Sequence, residues 1–253
     1  MLALADDLRL GLDPVAFAVE ALNFEPDDWQ IAVLRSPLKR MLLNCHRQSG
    51  KSTIASILAL HRALYFPSSL ILLVSPSLRQ SSELFHKVGE QFAKLEQQPE
   101  LTEDNKLSCT LANRSRIVSL PSSEATIRGF SGAALIIEDE SARVPDALYK
   151  AVRPMLAVSG GRLILMSTPI GKRGHFFEEW ANGPASWGRT MIKATDCPRI
   201  SPEFLAEERA SLGDFWYRQE YECEFAEVVD QVFGYETVMG AMTSDVKPLF
   251  GGV

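Results

Sequence analysis

Several common kinds of protein cannot be built from what this sequence lacks. Cysteine occurs only as Cys45, Cys109, Cys197 and Cys223. No two of them form a CxxC pair, which argues against a zinc site, and the wide spacing fits free thiols in a reducing compartment. No apolar run approaches the roughly 20 residues needed to cross a bilayer. The opening MLALADDLRLGLDP carries acids early and no apolar core of signal-peptide length. The expectation is a cytoplasmic protein without a membrane partner. A basic excess is missing too: 26 Lys and Arg stand against 32 Asp and Glu, a net charge of −6. A chain that grips nucleic acid tightly by itself normally has the opposite balance. Any such contact should therefore be local or shared among several copies.

What is present is an alternation of short apolar runs with helical patterns. Strands are expected at 40–45, 69–76, 133–141, 161–169 and 187–195, and a hairpin at 107–123 around Ala112-Asn113-Arg114. Helices are expected at 4–22 with a break near Pro14, after Pro26-Asp27-Asp28, from Ser52 to about Leu64, and at 77–95, 142–156 and 173–182. EQQPELTEDN, 96–105, reads as a polar connection. This alternation predicts an α/β fold, a mainly parallel sheet with helices on both faces. Residues 1–199 form the expected core with a helical N-terminal extension. From about 200 the chain turns acidic and aromatic, and 200–228 reads as a small helical lid or linker. Residues 229–253 read as a loose tail.

The stretch CHRQSGKST, 45–53, follows an apolar strand and opens a helix. That context suits a phosphate loop, in which backbone N–H groups and a helix N-terminus face bound phosphate. The usual pattern begins with a glycine, and here that position is Cys45. Residues Arg47, Gln48, Ser49, Gly50, Lys51, Ser52 and Thr53 form the expected nucleotide loop. Lys51 would reach the β- and γ-phosphates, and Ser52 would hold Mg²⁺. Arg47 is a candidate for a charge-assisted contact to the γ-phosphate.

ALIIEDES delivers three acids at the end of a strand. Asp139 is the expected Mg²⁺ carboxylate and Glu140 the base for the attacking water. A register shifted by one would give these roles to Glu138 and Asp139. We favour the first, because Glu138 would extend the apolar strand and face its other side. LILMSTP puts Ser167 and Thr168 where a strand end could sense the γ-phosphate. Gln30, in PDDWQ, carries an amide able to donate to and accept from adenine, with Trp29 beside it.

Taken together, PDDWQ, CHRQSGKST, LLVSPSLRQSSELF, TIRGFSGAALIIEDESARVPDALYKAVRPMLA, GRLILMSTPIGKRGHFFEEW and FWYRQEYECEF resemble the ATPase domain of the large terminase subunit of tailed bacteriophages and prophages. The resemblance covers most of 23–225. It accommodates the atypical loop, since R-x-S-G-K-[ST] without the first glycine is common in that family. It implies an additional-strand type P-loop fold with ATP and Mg²⁺ as ligands. It also implies a motor that drives double-stranded DNA through a portal protein into a procapsid in the host cytoplasm. A small terminase subunit would be a further partner. The motor would be a homo-oligomeric ring, a pentamer, with the free protein a monomer.

Carried over residue by residue, Lys51 and Ser52 match the loop, Asp139 the metal carboxylate and Glu140 the base. Ser167 and Thr168 match a coupling motif, and Gln30 an adenine-reading glutamine. Arg128 stands where the family carries an arginine acting on a neighbouring subunit's ATP. Arg47 competes with it from within the chain. Candidate DNA contacts are Arg79, Lys172 and Arg173. Family members usually continue into a nuclease. Asp245 near the end of the tail cannot by itself build a two-metal centre, so no nuclease activity is expected from this chain. Two other readings remain: a helicase-like DNA-dependent ATPase, and a non-catalytic nucleotide-binding assembly protein.

Overall fold

The computed structural model describes residues 2–121, 129–226 and 235–242. Arg128 lies outside them. The N-terminal extension runs as α1 (Leu2–Leu12) and α2 (Pro14–Ala16), with a wide π-helical turn over Phe17–Ala21. Pro14 starts the second piece, where its missing N–H costs nothing, and Asp13 caps it by accepting from the Val15 N–H. Next come α3 (Asp28–Leu34), β1 (Arg40–Cys45), α4 (Lys51–Tyr65), β2 (Leu70–Ser75) and α5 (Leu78–Ala93). Three strands follow, β3 (Leu101–Asn105), β4 (Ser108–Leu111) and β5 (Arg116–Pro121). Then come β6 (Leu135–Asp139), a 3₁₀ turn (Ser141–Arg143), α6 (Asp146–Val152), β7 (Arg162–Ser167), α7 (Gly174–Ala181) and β8 (Gly188–Ile192). The described chain closes with α8 (Pro202–Leu212), α9 (Asp214–Glu220) and α10 (Tyr235–Ala241).

Among the described residues the sheet has eight strands in the order β3-β4-β5-β2-β6-β7-β1-β8. The run from β5 to β8 is parallel throughout, and β3 and β4 add an antiparallel flap at one edge. β7 lies between β1 and β6, so the loop-bearing strand and the acidic strand are not neighbours. This is the additional-strand arrangement expected from the order of the motifs.

The central strands are apolar on both sides because both faces are covered. Leu43, Ile71, Leu73, Ile137, Ile164 and Met166 pack in one core with Ile54, Ile57 and Leu58 of α4. Leu42, Leu72, Val74, Ile136, Leu163 and Leu165 pack in the other with Leu148, Val152 and Phe176. Each such side chain contributes about 1.5–3 kcal/mol by leaving water. The same alternation sorts the acids of β6. Ile136 belongs to the second face, so Glu138 does too, while Asp139 follows Ile137 to the face of α4.

Two expectations need correction. Residues 101–105 of the supposed connection form β3, paired with β4 across a bulge between Leu101 and Glu103. As an edge strand with four exposed residues it has almost no apolar signature. In the supposed loose tail, Tyr235–Ala241 is helical, and Val238 and Met239 stay exposed. Elsewhere the helical segment after 200 is docked firmly. Leu205 and Tyr217 pack on Ala194, the Ala194 N–H donates to the Tyr221 carbonyl at 2.8 Å, and Asn44 Nδ2 donates to the Cys223 carbonyl at 2.9 Å. Among the described residues no helix is long and apolar enough to cross a membrane.

Candidate functional site

The loop leaves β1 at Cys45 and is pinned at once, since the His46 N–H donates to the Ile192 carbonyl of β8 at 3.0 Å. Gln48 and Gly50 both take left-handed backbone, at φ 61° and 92°. This lets the chain double back and enter α4 with Gly50 as its N-cap. The left-handed backbone favours glycine there, and a Cβ on Gly50 would stand 2.7 Å from Gln30 Nε2 and push that amide aside. The first turn of α4 then presents backbone N–H groups that have no intrahelical partner. Ser49 Oγ is buried close to the Cys45 thiol and has no strong hydrogen-bond acceptor or donor among the described residues. Lys51 is buried, while Ser52 and Thr53 are half-buried on the opening turn.

Glu140 ends the acidic strand in a left-handed conformation, φ 51° and ψ 41°, uncommon for a non-glycine residue. That turn brings its carboxylate to Lys51 Nζ, 3.5 Å away, and to Arg143 Nη1, 2.7 Å away. Asp139 is also buried, and its Oδ1 accepts from the Glu140 N–H at 3.0 Å. Burial and the neighbouring Glu140 charge push the Asp139 carboxyl up to about 6, partly opposed by Lys51. Glu138 lies on the other side of the sheet, fully buried against His175 and Ser141. The geometry therefore puts Asp139 and Glu140, not Glu138, beside the loop lysine.

Ser167 ends β7 and Thr168 follows it, both fully buried. Ser167 Oγ donates to the Thr168 carbonyl, and Thr168 Oγ1 accepts from Arg143 at 3.3 Å. Arg47 is exposed on the loop and its Nε lies 2.8 Å from Glu220, the last residue of α9. Gln30 is tied up by the chain itself. Its Oε1 accepts from the Asp27 N–H at 2.9 Å, closing a capping box, and its Nε2 donates to the Ser49 carbonyl at 3.4 Å. It sits under the phosphate loop, and the amide expected to read adenine is engaged at both ends. A cleft of about 430 Å³ lies beside it, between Trp29, Ile192 and Pro198. Arg79 and Arg173 are exposed, on the first turn of α5 and at the N-cap of α7, and Lys172 is half-buried.

Three residues escaped the sequence reading. Arg143 joins Glu140 to Thr168 and comes within 3.8 Å of Glu220. Its only signal was a position one short turn past the acids. Glu220 brings α9 against both Arg47 and Arg143. His175 opens α7 behind the acidic strand, its Nε2 2.5 Å from Glu138 Oε1 and its Nδ1 3.0 Å from Asp146.

The donors fit a hard cation. Asp139 and the Ser52 hydroxyl supply oxygen ligands of the kind Mg²⁺ prefers, and this ion keeps waters and takes substrate phosphates for the rest of its shell. Such a site needs no triad of acids, and among the described residues there is no cluster of three or more His, Cys, Asp or Glu able to hold a metal.

The family described as terminase large subunit, T4likevirus-type, N-terminal, matches residues 43–238. The chain belongs to this family. It is 28% identical over 250 residues to the large terminase subunit of Thermus phage G20c, covering 85% of this chain and 51% of that protein. It thus spans about half the length of the curated relatives it matches. The ATPase domain of the Thermus phage P74-26 large terminase superposes with a TM-score of 0.76 at 24% identity, over 85% of this chain and all of that one. The large terminase of bacteriophage D6E, solved with ATP-γ-S, superposes with a TM-score of 0.61 at 12% identity, over 79% of this chain and 52% of that one. These likenesses extend to the fold the arrangement found by tracing β1, β7 and β6.

Proposed function

We propose that this terminase-family chain hydrolyses ATP as the motor portion of a DNA-packaging machine. The observation that carries the reading is the meeting of Lys51 and Glu140 across β7. A phosphate-loop lysine and a carboxylate able to activate water converge from different strands on one point. The D6E terminase, which shares this fold, forms a complex with ATP-γ-S, and this supports a nucleotide as ligand. The triphosphate would take up Lys51 and the N–H groups of the α4 turn, and Ser49 Oγ would gain a stronger partner than the Cys45 thiol. Asp139 and Ser52 would hold Mg²⁺, which supplies charge neutralisation for the β- and γ-phosphates. The cleft beside Trp29 is the place assigned to the adenine, with Gln30 supporting the loop from beneath.

As substrate phosphates draw Lys51 away, Glu140 keeps Arg143 as its remaining ion pair and is free to orient water. Arg47 and Arg143 both face Glu220, so a γ-phosphate that attracts Arg47 loosens the contact between the loop and α9. Thr168, bonded to Arg143, links the same change to the segment carrying Lys172 and Arg173. By this reading the helices after 200 move with the nucleotide state and shift the DNA-gripping surface. Double-stranded DNA, a portal, a small terminase subunit and a homo-oligomeric ring are the partners proposed, with Arg128 serving a neighbouring copy. A ring would also multiply a weak basic patch enough to offset a net charge of −6.

The test is DNA-stimulated ATP turnover with Lys172→Glu and Arg173→Glu together. Loss of stimulation with intact basal turnover is expected, and full stimulation in the double variant would overturn the DNA assignment.

A further inference from the structure

The phosphate loop lies at the carboxyl ends of the parallel strands. At the opposite end, where β1, β6 and β7 begin, a cavity of about 270 Å³ opens between α4 and the N-terminal extension. Arg62 of α4 and Arg162 of β7 both line it, and among the described residues no carboxylate does. The third arginine on its wall, Arg35, is already held by Asp13 through two contacts at 3.0 and 2.6 Å. Among the described residues Arg62 has no such partner. Its guanidinium lies over the Phe66 ring at 4.1 Å, and its Nε is buried without a hydrogen bond. Arg162 donates to the Leu38 carbonyl at 3.2 Å and to the Met41 thioether, a weak acceptor, at 3.3 Å, and neither acceptor carries a charge.

Two half-buried guanidinium groups share one recess, and no carboxylate among the described residues pairs with either. Burial of charge is costly unless the charge is paired, and like charges raise that cost. Burial lowers both arginines below their ordinary range, and the Arg62 charge adds to the effect on Arg162. Both costs reverse when an oxyanion sits between the two groups, because the planar guanidinium fork matches phosphate oxygens in charge and spacing. The recess is roomy enough, since a water occupies about 30 Å³.

We propose that the Arg62–Arg162 recess is a second anion site, distinct from the phosphate loop, that binds a phosphate group. A free phosphate ion and a DNA phosphodiester share this chemistry.

The test is thermal unfolding in 20 mM inorganic phosphate against chloride of equal ionic strength, for the wild type, Lys51→Ala, Arg62→Gln and Arg162→Gln. The expected result is a rise in midpoint of about 3 °C for the wild type that survives Lys51→Ala and is lost in each arginine variant. Crystals of the wild type soaked in tungstate provide a readout that needs no variant to fold, and an anomalous peak between Arg62 and Arg162 is expected. No rise over chloride, a rise lost only in Lys51→Ala, or tungstate at the phosphate loop alone would each overturn the proposal. A second arm replaces phosphate with a short DNA duplex. Weakened duplex binding in Arg62→Gln, with a salt slope smaller by about one, assigns the phosphate group to DNA. Unchanged duplex binding beside a retained phosphate shift assigns it to the free ion.

Discussion

Replacing His175 with alanine tests how the acidic strand is held. His175 and Glu138 form an ion pair whose side chains are 4% and 0% exposed, so solvent screening does not weaken it. Removing the imidazole leaves Glu138 buried with Ser141 as its remaining donor, and Glu138 Oε2 has no partner even now. Breaking a buried pair from one side costs about 3–5 kcal/mol. The ring also stacks on Tyr149, at 4.3 Å between centroids, and this contact goes with it. Urea unfolding of His175→Ala should therefore show a loss of about 4 kcal/mol.

The loss should depend on pH. Burial works against the charged imidazole, but Glu138 and then Asp146 outweigh it and raise His175 above its ordinary value. A raised folded value means the contribution is complete below the ordinary histidine range and fades as pH rises through the folded value. The gap between wild type and variant should shrink from pH 7 to pH 9, a window in which Asp139 stays ionised. A loss under about 1 kcal/mol, or one that is constant or grows across that window, would refute the charged-pair reasoning.

Glu140→Gln should retain ATP binding and lose about 10²–10⁴ in turnover, read by single-turnover phosphate release. Gly50→Ala should cost about 1–2 kcal/mol in urea unfolding for its left-handed backbone alone, and weaken nucleotide binding by calorimetry because the new Cβ displaces Gln30 from the loop. Since Asp139 is pushed up to about 6, Mg²⁺-dependent nucleotide affinity should fall on acidification through that value. The fall should approach tenfold per pH unit further down, and chelation of Mg²⁺ at pH 8 should mimic it. Arg143→Ala should lower turnover more than nucleotide affinity, because it frees Glu140 and Thr168 without touching the loop.

Much of this was readable in the chain because the signals were local and redundant. RMLLNC, LILLVS and RLILMS are apolar on both faces, and such runs have few alternatives to a buried parallel strand. The same alternation placed Glu138 behind the sheet before any coordinate did. The β3 edge strand was missed because a strand with one covered side and polar residues carries no such pattern. Gln30 is expected to face the base because an amide can read adenine, and what the sequence does not reveal is that its two ends also bond the Asp27 N–H and the Ser49 carbonyl. Arg143 and Glu220 were invisible for another reason. Their roles arise from a left-handed turn at Glu140 and from the docking of α9, contacts between segments that are 77 positions apart and leave no spacing to read.

The central claim is that Lys51 and Glu140 form an ATP-hydrolysing site. The most direct measurement is ATP turnover per chain across a wide range of protein concentration, for the wild type, Lys51→Ala, Glu140→Gln and Arg128→Ala. The account predicts turnover that rises with concentration, is abolished by the first two substitutions and is strongly reduced by the third. Turnover that survives Lys51→Ala, or ATP bound without any turnover at every concentration, would contradict it.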